Sequence, residues 1–358
     1  MLRGRDRMAI VGVVAVAAIL RLYGLGHDSL AHDEAWRANW AHHGSLNEAR
    51  RLPPLQYLMS WTLQHTVGRS EFILRLPFAV AGVACVVLLY GLCRRFLGVG
   101  AGLLVAAVAA CHPVLVEHSR TLKVFSLEAL TCAALMWAGL EAYRSRRVRQ
   151  LLVFLGVGLV GVGLTFTGSL VAAAWMPVLA WSSFRGGNGY GRLRWTWGMV
   201  AALLGLGAAG CYFWLAGCPW LQMLRVYIVQ EQTDWPAAYT PAALAGWGLA
   251  ATKGMLQYVL GVTDEWPPVS WCVGTAEVLA VGLSLGVLWR RCRPLCVVAV
   301  ILAVEVVLAG ALRFWPFGKT RTMTFLVPLV AIGVGCGLWR FVRTVGWSPA
   351  TVLVLGLC

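Results

Sequence analysis

The segment 73–95, ILRLPFAVAGVACVVLLYGLCRR, is an apolar run of bilayer length that ends in two arginines. A helix of about 20 apolar residues spans the hydrocarbon core of a membrane. The whole chain shares this character, since 59% of its 358 residues are hydrophobic and only 13% are charged. Soluble domains carry about 25% charged residues. The mean hydropathy is +0.72. The composition therefore excludes a soluble enzyme and predicts an all-α, polytopic membrane protein.

Further apolar segments of similar length predict a transmembrane helical bundle of about 11 spans. Besides 73–93, the candidate spans are 8–24, 99–115, 122–143, 151–167, 168–184, 195–217, 271–289, 295–312, 322–339 and 347–358. We expect residues 1–358 to form a single transmembrane domain with external juxtamembrane helices.

Basic residues are concentrated in every second connection between these spans, and the net charge is +15. This is the pattern of cytoplasmic loops, so the charge needs no nucleic-acid partner. The arginines concerned are Arg3, Arg5, Arg7, Arg94, Arg95, Arg144, Arg146, Arg147, Arg149, Arg185, Arg192, Arg194, Arg290, Arg291, Arg293, Arg340 and Arg343. The alternation predicts a cytoplasmic N-terminus and external loops near 25–72, 112–121, 218–270 and 313–321.

The first external segment contains the adjacent carboxylates Asp33 and Glu34. Neighbouring residues on a helix point about 100° apart, so only one of them can face a given substrate atom. A carboxylate at the membrane surface can act as a general base toward a hydroxyl group. The alternative is that the pair is solvated or caps a helix.

Two further external segments carry cations near the ends of apolar spans. Arg120 and Lys123 are three residues apart, which on a helix places them on one face. No nearby carboxylate beyond Glu117 and Glu128 is available to them, so a phosphate at the bilayer interface would fit. The alternative is that both side chains snorkel to lipid headgroups. Lys319 and Arg321 follow a helix break at 316–318, which leaves free backbone amides beside them. Such a turn can bind an anion, and the alternative is a plain interfacial loop.

The motifs of these segments, taken in series, resemble the GT-C class of membrane glycosyltransferases. Within that class they are similar to the bacterial group of protein O-mannosyltransferases and aminoarabinose transferases. The resemblance rests on DEA at 33–35, PPLQY at 53–57, SEFILRLP at 70–77, SRTLKVFSL at 119–127, PFGKTR at 316–321 and FLVP at 325–328. Leu52, Thr121 and Phe125 depart from the residues common in the family.

The resemblance implies that a sugar moves from a polyprenyl-phosphate donor to a glycan, lipid or protein acceptor, with inversion. The reaction would take place on the non-cytoplasmic face of a bacterial inner membrane. Asp33, with Glu34 beside it, matches the catalytic carboxylate, and Arg120, Lys123, Lys319 and Arg321 would bind the donor phosphate. Predicted substrate-binding residues are Arg51, Tyr57, Glu117 and His118. We expect no cofactor, and one acidic pair with scattered histidines does not define a metal site.

Two other functions fit a membrane protein of this composition. A secondary transporter would place paired ionisable residues near the bilayer midplane and often contains an inverted repeat. Glu305 is the best midplane candidate, and it has no evident partner in the sequence. A non-catalytic lipid-binding relative would keep the fold and lose the acid, and the presence of Asp33 argues against that interpretation.

Overall fold

All regular structure in the described part of the chain is helical, as predicted. The computed structural model describes residues 4–43, 52–184, 205, 240–260, 267–311 and 321–346. Its α-helices are α1 (Gly4–Leu22), α2 (His32–His43), α3 (Pro54–Thr66), α4 (Glu71–Leu97), α5 (Val99–Cys111), α6 (Pro113–Ser119), α7 (Phe125–Ser145), α8 (Val148–Leu164), α9 (Thr167–Phe184), α10 (Pro241–Val259), α11 (Pro267–Ala311) and α12 (Val327–Val345). A 3₁₀ helix at Arg321–Leu326 precedes α12.

Four helical stretches within these ranges are long and apolar enough to cross a membrane. They are Glu71–Leu97, Phe125–Ser145, Val278–Ala309 and Met323–Val345. Helices α5 and α6 would make a fifth as a broken span, since they are bent by 58° relative to each other. The predicted number of about 11 spans is therefore not confirmed. The candidate spans 195–217, apart from residue 205, and 347–358 lie outside the described residues.

Helix ends follow from the local sequence. The side chain of Ser70 caps α4 by accepting a hydrogen bond from the Ile73 N–H at 3.4 Å. Gly98 ends the same helix with a φ of +108°, a conformation that favours glycine. Pro113 has no N–H to continue the helical ladder, so the chain bends between α5 and α6. Two predicted spans meet in α11, where Cys292 has non-helical angles (φ −136°, ψ 41°).

Glycines bring α12 into close contact with its neighbours in the core. A β-carbon at Gly337 would overlap the carbonyl oxygen of Ala280 on α11. A β-carbon at Gly335 would lie 2.6 Å from the Cα of Val105 on α5. Small residues at such crossings allow membrane helices to pack backbone against backbone, which is a main source of their association.

The arginine-bearing connections meet at one end of the bundle. Arg144 Nη2 donates to the carbonyl of Arg291 at 2.7 Å, and Arg95 forms an ion pair with Glu141. All of these positions lie at or next to predicted cytoplasmic connections. Arg75 and Arg95 are near opposite ends of α4, and 20 helical residues span about 30 Å. The segments around Arg75 are thus at the far end of the bundle, and which end faces the cytoplasm stays a prediction.

At that far end, a buried ion pair joins α2 to α4. Arg75 Nη2 lies 2.7 Å from Glu34 Oε2, and Arg75 Nε donates to Glu34 Oε1 at 3.2 Å. Glu34 is only 1% exposed and Arg75 only 5%. Paired guanidinium and carboxylate groups of this kind form strong, directional hydrogen bonds.

The remaining bonds of the pair fix the surrounding backbone. Glu34 accepts from the N–H of Ala31 at 2.9 Å, as the third residue of a helix does in a capping box. It also accepts from the N–H of Leu122 at 2.5 Å. Arg75 donates to the carbonyls of Leu25, Asp28 and Ser29. This network therefore joins the 25–29 loop, α2, α4 and the turn before α7.

Both carboxylate oxygens of Glu34, a predicted catalytic residue, accept hydrogen bonds inside this network. Its catalytic role stays a prediction, and the structure shows a buried carboxylate that connects α2, α4 and the turn before α7. Burial alone would raise the pKa of Glu34, but the hydrogen bonds from Arg75, Leu122 and Ala31 outweigh burial and hold that pKa below its ordinary value of 4.5.

Gly337→Ala tests the packing of α12. We expect it to lower the free energy of unfolding by about 1–3 kcal/mol, because the added methyl group forces α11 and α12 apart. Gly282→Ala on α11 is the matched control, since nothing lies within 4 Å of a β-carbon there. Thermal unfolding midpoints of the purified protein in detergent measure both variants. Equal midpoints for the two variants would contradict the close packing.

Glu34→Gln tests the buried ion pair. Removing one partner of such a pair leaves an uncompensated buried charge and lowers stability by about 3–5 kcal/mol. Because the folded-state pKa of Glu34 is lowered, its contribution is complete above pH 4.5 and is lost as the pH falls through the folded-state value. The midpoint difference between wild type and Glu34→Gln should therefore shrink on acidification.

Glu117→Gln serves as the control for this series, since Glu117 is exposed on α6. Its midpoint should follow that of the wild type at every pH. A Glu34→Gln variant as stable as wild type at neutral pH would show that the network does not hold this end of the bundle together.

Candidate active site

An accessible carboxylate and a buried ammonium group lie side by side at the Arg75 end of the bundle. Asp33 stands on the first turn of α2, and its Oδ2 is 2.7 Å from Lys123 Nζ. The Asp33 side chain is 52% exposed, whereas the Lys123 side chain is 9% exposed. The Leu122 N–H bond to Glu34 holds the turn of Lys123 against α2. The pair is thus fixed from both sides and open on the side of the carboxylate.

This geometry corrects the expectation about Lys123. The sequence offered only Glu117 and Glu128 as nearby carboxylates, but the fold brings Asp33 from a distant segment to the ammonium group. A phosphate is therefore not needed to balance Lys123 in this state. The helix-face prediction for Arg120 and Lys123 is also wrong, because both lie in the turn between Ser119 and Phe125 and not on a helix.

Arg120 lies at the edge of the same site. It is half-buried, and its Nη2 is 3.6 Å from the position that a β-carbon of Gly24 would take. Gly24 follows α1 and has a φ of +65°, which favours glycine. Arg120, which precedes Lys123 by three residues, thus packs against the turn after α1.

Arg37 and Glu128 extend the charge cluster, although neither is a predicted site residue. Arg37 follows Asp33 by one helical turn on α2 and is half-buried. Burial lowers the pKa of Arg37, and the negative charges of Asp33, Glu128 and Glu34 oppose this change. Glu128 is 3% exposed, lies beside Thr167, and has one oxygen without a hydrogen-bond partner among the described residues.

The sequence contains a signal for two residues of this cluster, Glu128 and Arg75. Glu128 and Arg75 each stand near the start of an otherwise apolar span, where an ionisable side chain is rare and usually functional. Arg75 lies in the SEFILRLP motif at 70–77, but nothing local in the sequence identifies Glu34 as its partner.

A second series of polar contacts links the segment that begins at Arg321 to the segment that contains Arg120 and Lys123. His118 Nε2 lies 2.5 Å from the hydroxyl of Tyr258 on α10. That hydroxyl is 3.0 Å from Thr324 Oγ1, in the 3₁₀ helix that begins at Arg321. These contacts tie α6, α10 and the 3₁₀ helix together. Arg51 and Lys319 lie outside the described residues, as does the side chain of Arg321.

The other predicted residues are not part of this network in the described ranges. Tyr57 is half-buried on α3, which contacts α2 through a bond from Gln64 Nε2 to the carbonyl of Ala38 at 3.0 Å. Glu117 is exposed on α6. Among the positions that depart from the family pattern, Phe125 packs its ring against that of His118 with centroids 4.7 Å apart.

The described residues do not bring together three or more His, Cys, Asp or Glu side chains in positions to hold a metal ion. An exposed carboxylate can accept a proton from a hydroxyl group, and fixed cations can stabilise negative charge on a leaving group.

A family model and solved structures match this chain. Residues 51–207, less than half of the chain, match the dolichyl-phosphate-mannose-protein mannosyltransferase family. ArnT from Cupriavidus metallidurans bound to undecaprenyl phosphate is 14% identical, with a TM-score of 0.58 over 92% of this chain and 59% of ArnT. The apo state of ArnT gives a TM-score of 0.59 at the same identity and coverage.

The Archaeoglobus fulgidus oligosaccharyltransferase, solved in complex with Zn and sulfate, has a TM-score of 0.55 at 14% identity. The match covers 98% of this chain and 51% of the oligosaccharyltransferase, so the chain spans less than two thirds of each of these proteins. Among curated proteins, no sequence is similar enough to count as a match. The predicted resemblance is confirmed: this membrane protein has the fold of the GT-C glycosyltransferases, is similar to ArnT, and matches the mannosyltransferase family over residues 51–207.

Proposed function

We propose that this chain transfers a sugar from a polyprenyl-phosphate donor to an acceptor on the non-cytoplasmic face of the membrane, with inversion at the anomeric carbon. The observation that carries the proposal is the exposed Asp33 carboxylate held 2.7 Å from the buried Lys123 ammonium. The two groups combine a proton acceptor with a cation that can bind phosphate, at the end of the bundle that contains Arg75.

Inversion requires the pair to separate during the reaction. The attacking acceptor oxygen and the leaving phosphate oxygen lie on opposite sides of the anomeric carbon, so the sugar must fit between the base and the phosphate-binding cation. At 2.7 Å, Asp33 and Lys123 leave no such space. The ion pair is therefore a resting state, in which each charge balances the other until the donor arrives. Lys123 then turns to the donor phosphate and Asp33 to the acceptor hydroxyl.

The charges around the pair suit a lipid-phosphate leaving group. As the glycosidic bond breaks, the phosphate gains negative charge, and preorganised cations stabilise that charge most in the transition state. Arg120 and Lys123 supply two cations on one turn, and Lys319 and Arg321 would add two more from the segment before α12. The undecaprenyl phosphate in the ArnT structure supports a donor of this kind. The acceptor, whether glycan, lipid or protein, and the bacterial inner-membrane location are part of the proposal.

The transporter hypothesis has less support. Its best midplane candidate, Glu305, is half-buried on α11 and forms no ion pair with another described residue. The polar contacts of the described chain are instead concentrated around α2 and the turn before α7.

Asp33→Asn tests the base. We expect kcat to fall by about 10²- to 10⁴-fold, because the amide cannot accept the proton of the acceptor hydroxyl. The measurement is sugar transfer from a polyprenyl-phosphate sugar by the protein reconstituted in liposomes. Asp28→Asn is the matched control, since Asp28 is exposed and contacts Arg75 through its backbone carbonyl only. Wild-type rates for Asp33→Asn in a correctly folded protein would remove the assignment.

Lys123→Met tests the phosphate contact. We expect KM for the donor to rise about tenfold or more, because a charge-assisted hydrogen bond to the phosphate is lost, while KM for the acceptor changes little. Arg120→Ala should act in the same direction. Lys253→Met on α10 is the control, since Lys253 is exposed on a different helix. If donor and acceptor KM rise equally, Lys123 does not bind the donor phosphate.

A further inference from the structure

A cavity lies at the end of the bundle opposite Asp33. Its volume is about 320 Å³, and it is lined by Arg95, Phe96, Glu141, Arg144 and Ser145. These residues come from the last turns of α4 and α7. Two arginines and one glutamate give the lining a net positive charge.

Arg144 is held in place within this cavity. Its Nη2 donates to the carbonyl of Arg291 at 2.7 Å, and its guanidinium carbon lies 4.4 Å from the centroid of the Phe96 ring. A guanidinium group has five N–H donors, so the bond to Arg291 leaves most of them for another ligand. Arg95, whose side chain is 60% exposed, is paired with Glu141 at the same cavity and adds a second guanidinium group there.

Membrane orientation does not account for this arrangement. The positive-inside pattern requires only that arginines lie in the loops, where they are usually solvated. Arg144 is exposed, but its guanidinium group is also oriented by an aromatic ring and a backbone carbonyl beside a cavity. Arg293, two residues after Arg291, lies 4.7 Å from the ring of Trp289, which is 51% exposed. An exposed tryptophan of this kind is typical of the headgroup region of a bilayer.

We propose that this cavity binds a phosphate group, as carried by the headgroup of an anionic phospholipid. Guanidinium groups match the geometry of phosphate oxygens, and basic pockets between membrane helices bind anionic headgroups. The site is separate from the Asp33 and Lys123 pair, so it stands whether or not the chain transfers sugars. A bound lipid at this position would join α4, α7 and the arginines of α11.

The matched variants Ser145→Asp and Ser145→Asn test the site. Both side chains can still accept the Arg147 N–H that Ser145 Oγ accepts at 3.4 Å, but only aspartate adds a negative charge to the cavity. Thermal unfolding midpoints of the full chain in detergent are measured with added phosphatidylglycerol, phosphatidylcholine or inorganic phosphate, since a ligand of the folded state raises the midpoint.

We expect phosphatidylglycerol to raise the wild-type midpoint more than phosphatidylcholine does. The phosphatidylglycerol concentration that gives half of the maximal midpoint shift should be about fivefold higher for Ser145→Asp than for Ser145→Asn. Arg144→Gln should raise this concentration by a similar factor. Arg343 lies outside the cavity lining, so Arg343→Gln should leave the concentration unchanged. An equal, Arg144-dependent shift with inorganic phosphate would support the site and identify a free anion as its ligand. If Ser145→Asp and Ser145→Asn respond alike to both phosphate sources, or if phosphatidylcholine acts as strongly as phosphatidylglycerol, the proposal is overturned.

Discussion

The buried ion pair between Glu34 and Arg75 holds the end of the bundle with the proposed active site in one arrangement. Neither charge is tolerable there alone, because an unpaired buried ion is strongly destabilising. Their hydrogen bonds fix the 25–29 loop, the start of α2 and the turn at Leu122 relative to α4. Asp33 is the residue before Glu34, so anchoring one carboxylate inside the network presents the other to solvent beside Lys123. The two adjacent acids thus have opposite environments.

The two ends of the bundle use charge in different ways. At the Asp33 end, acids and bases from separate segments neutralise each other, and only one carboxylate of the principal pairs is widely exposed. At the other end, arginines predominate, and part of their charge is held around an open cavity. The first arrangement suits a reaction in which charges are exchanged between a resting pair and a substrate. The second suits a stable contact with anionic headgroups.

Local sequence patterns predicted the helices better than their contacts. The apolar segments 73–93, 122–143 and 322–339 correspond to α4, α7 and α12, because hydrophobicity and length determine such helices directly. Asp33 and Lys123 were both selected as candidates, but their pairing was not, since the residues lie far apart in sequence. The ion pair between Glu34 and Arg75 could not be predicted for the same reason. The prediction that Arg120 and Lys123 share a helix face was wrong because the helix ends at Ser119, before either residue.

The central claim is that Lys123 exchanges Asp33 for a lipid-linked phosphate. A cryo-electron microscopy structure of the protein with a polyprenyl-phosphate sugar bound tests it most directly. We expect the donor phosphate within hydrogen-bonding distance of Lys123, the sugar between that phosphate and Asp33, and the 2.7 Å ion pair opened. A donor phosphate bound elsewhere, with Asp33 and Lys123 still paired, would contradict the claim.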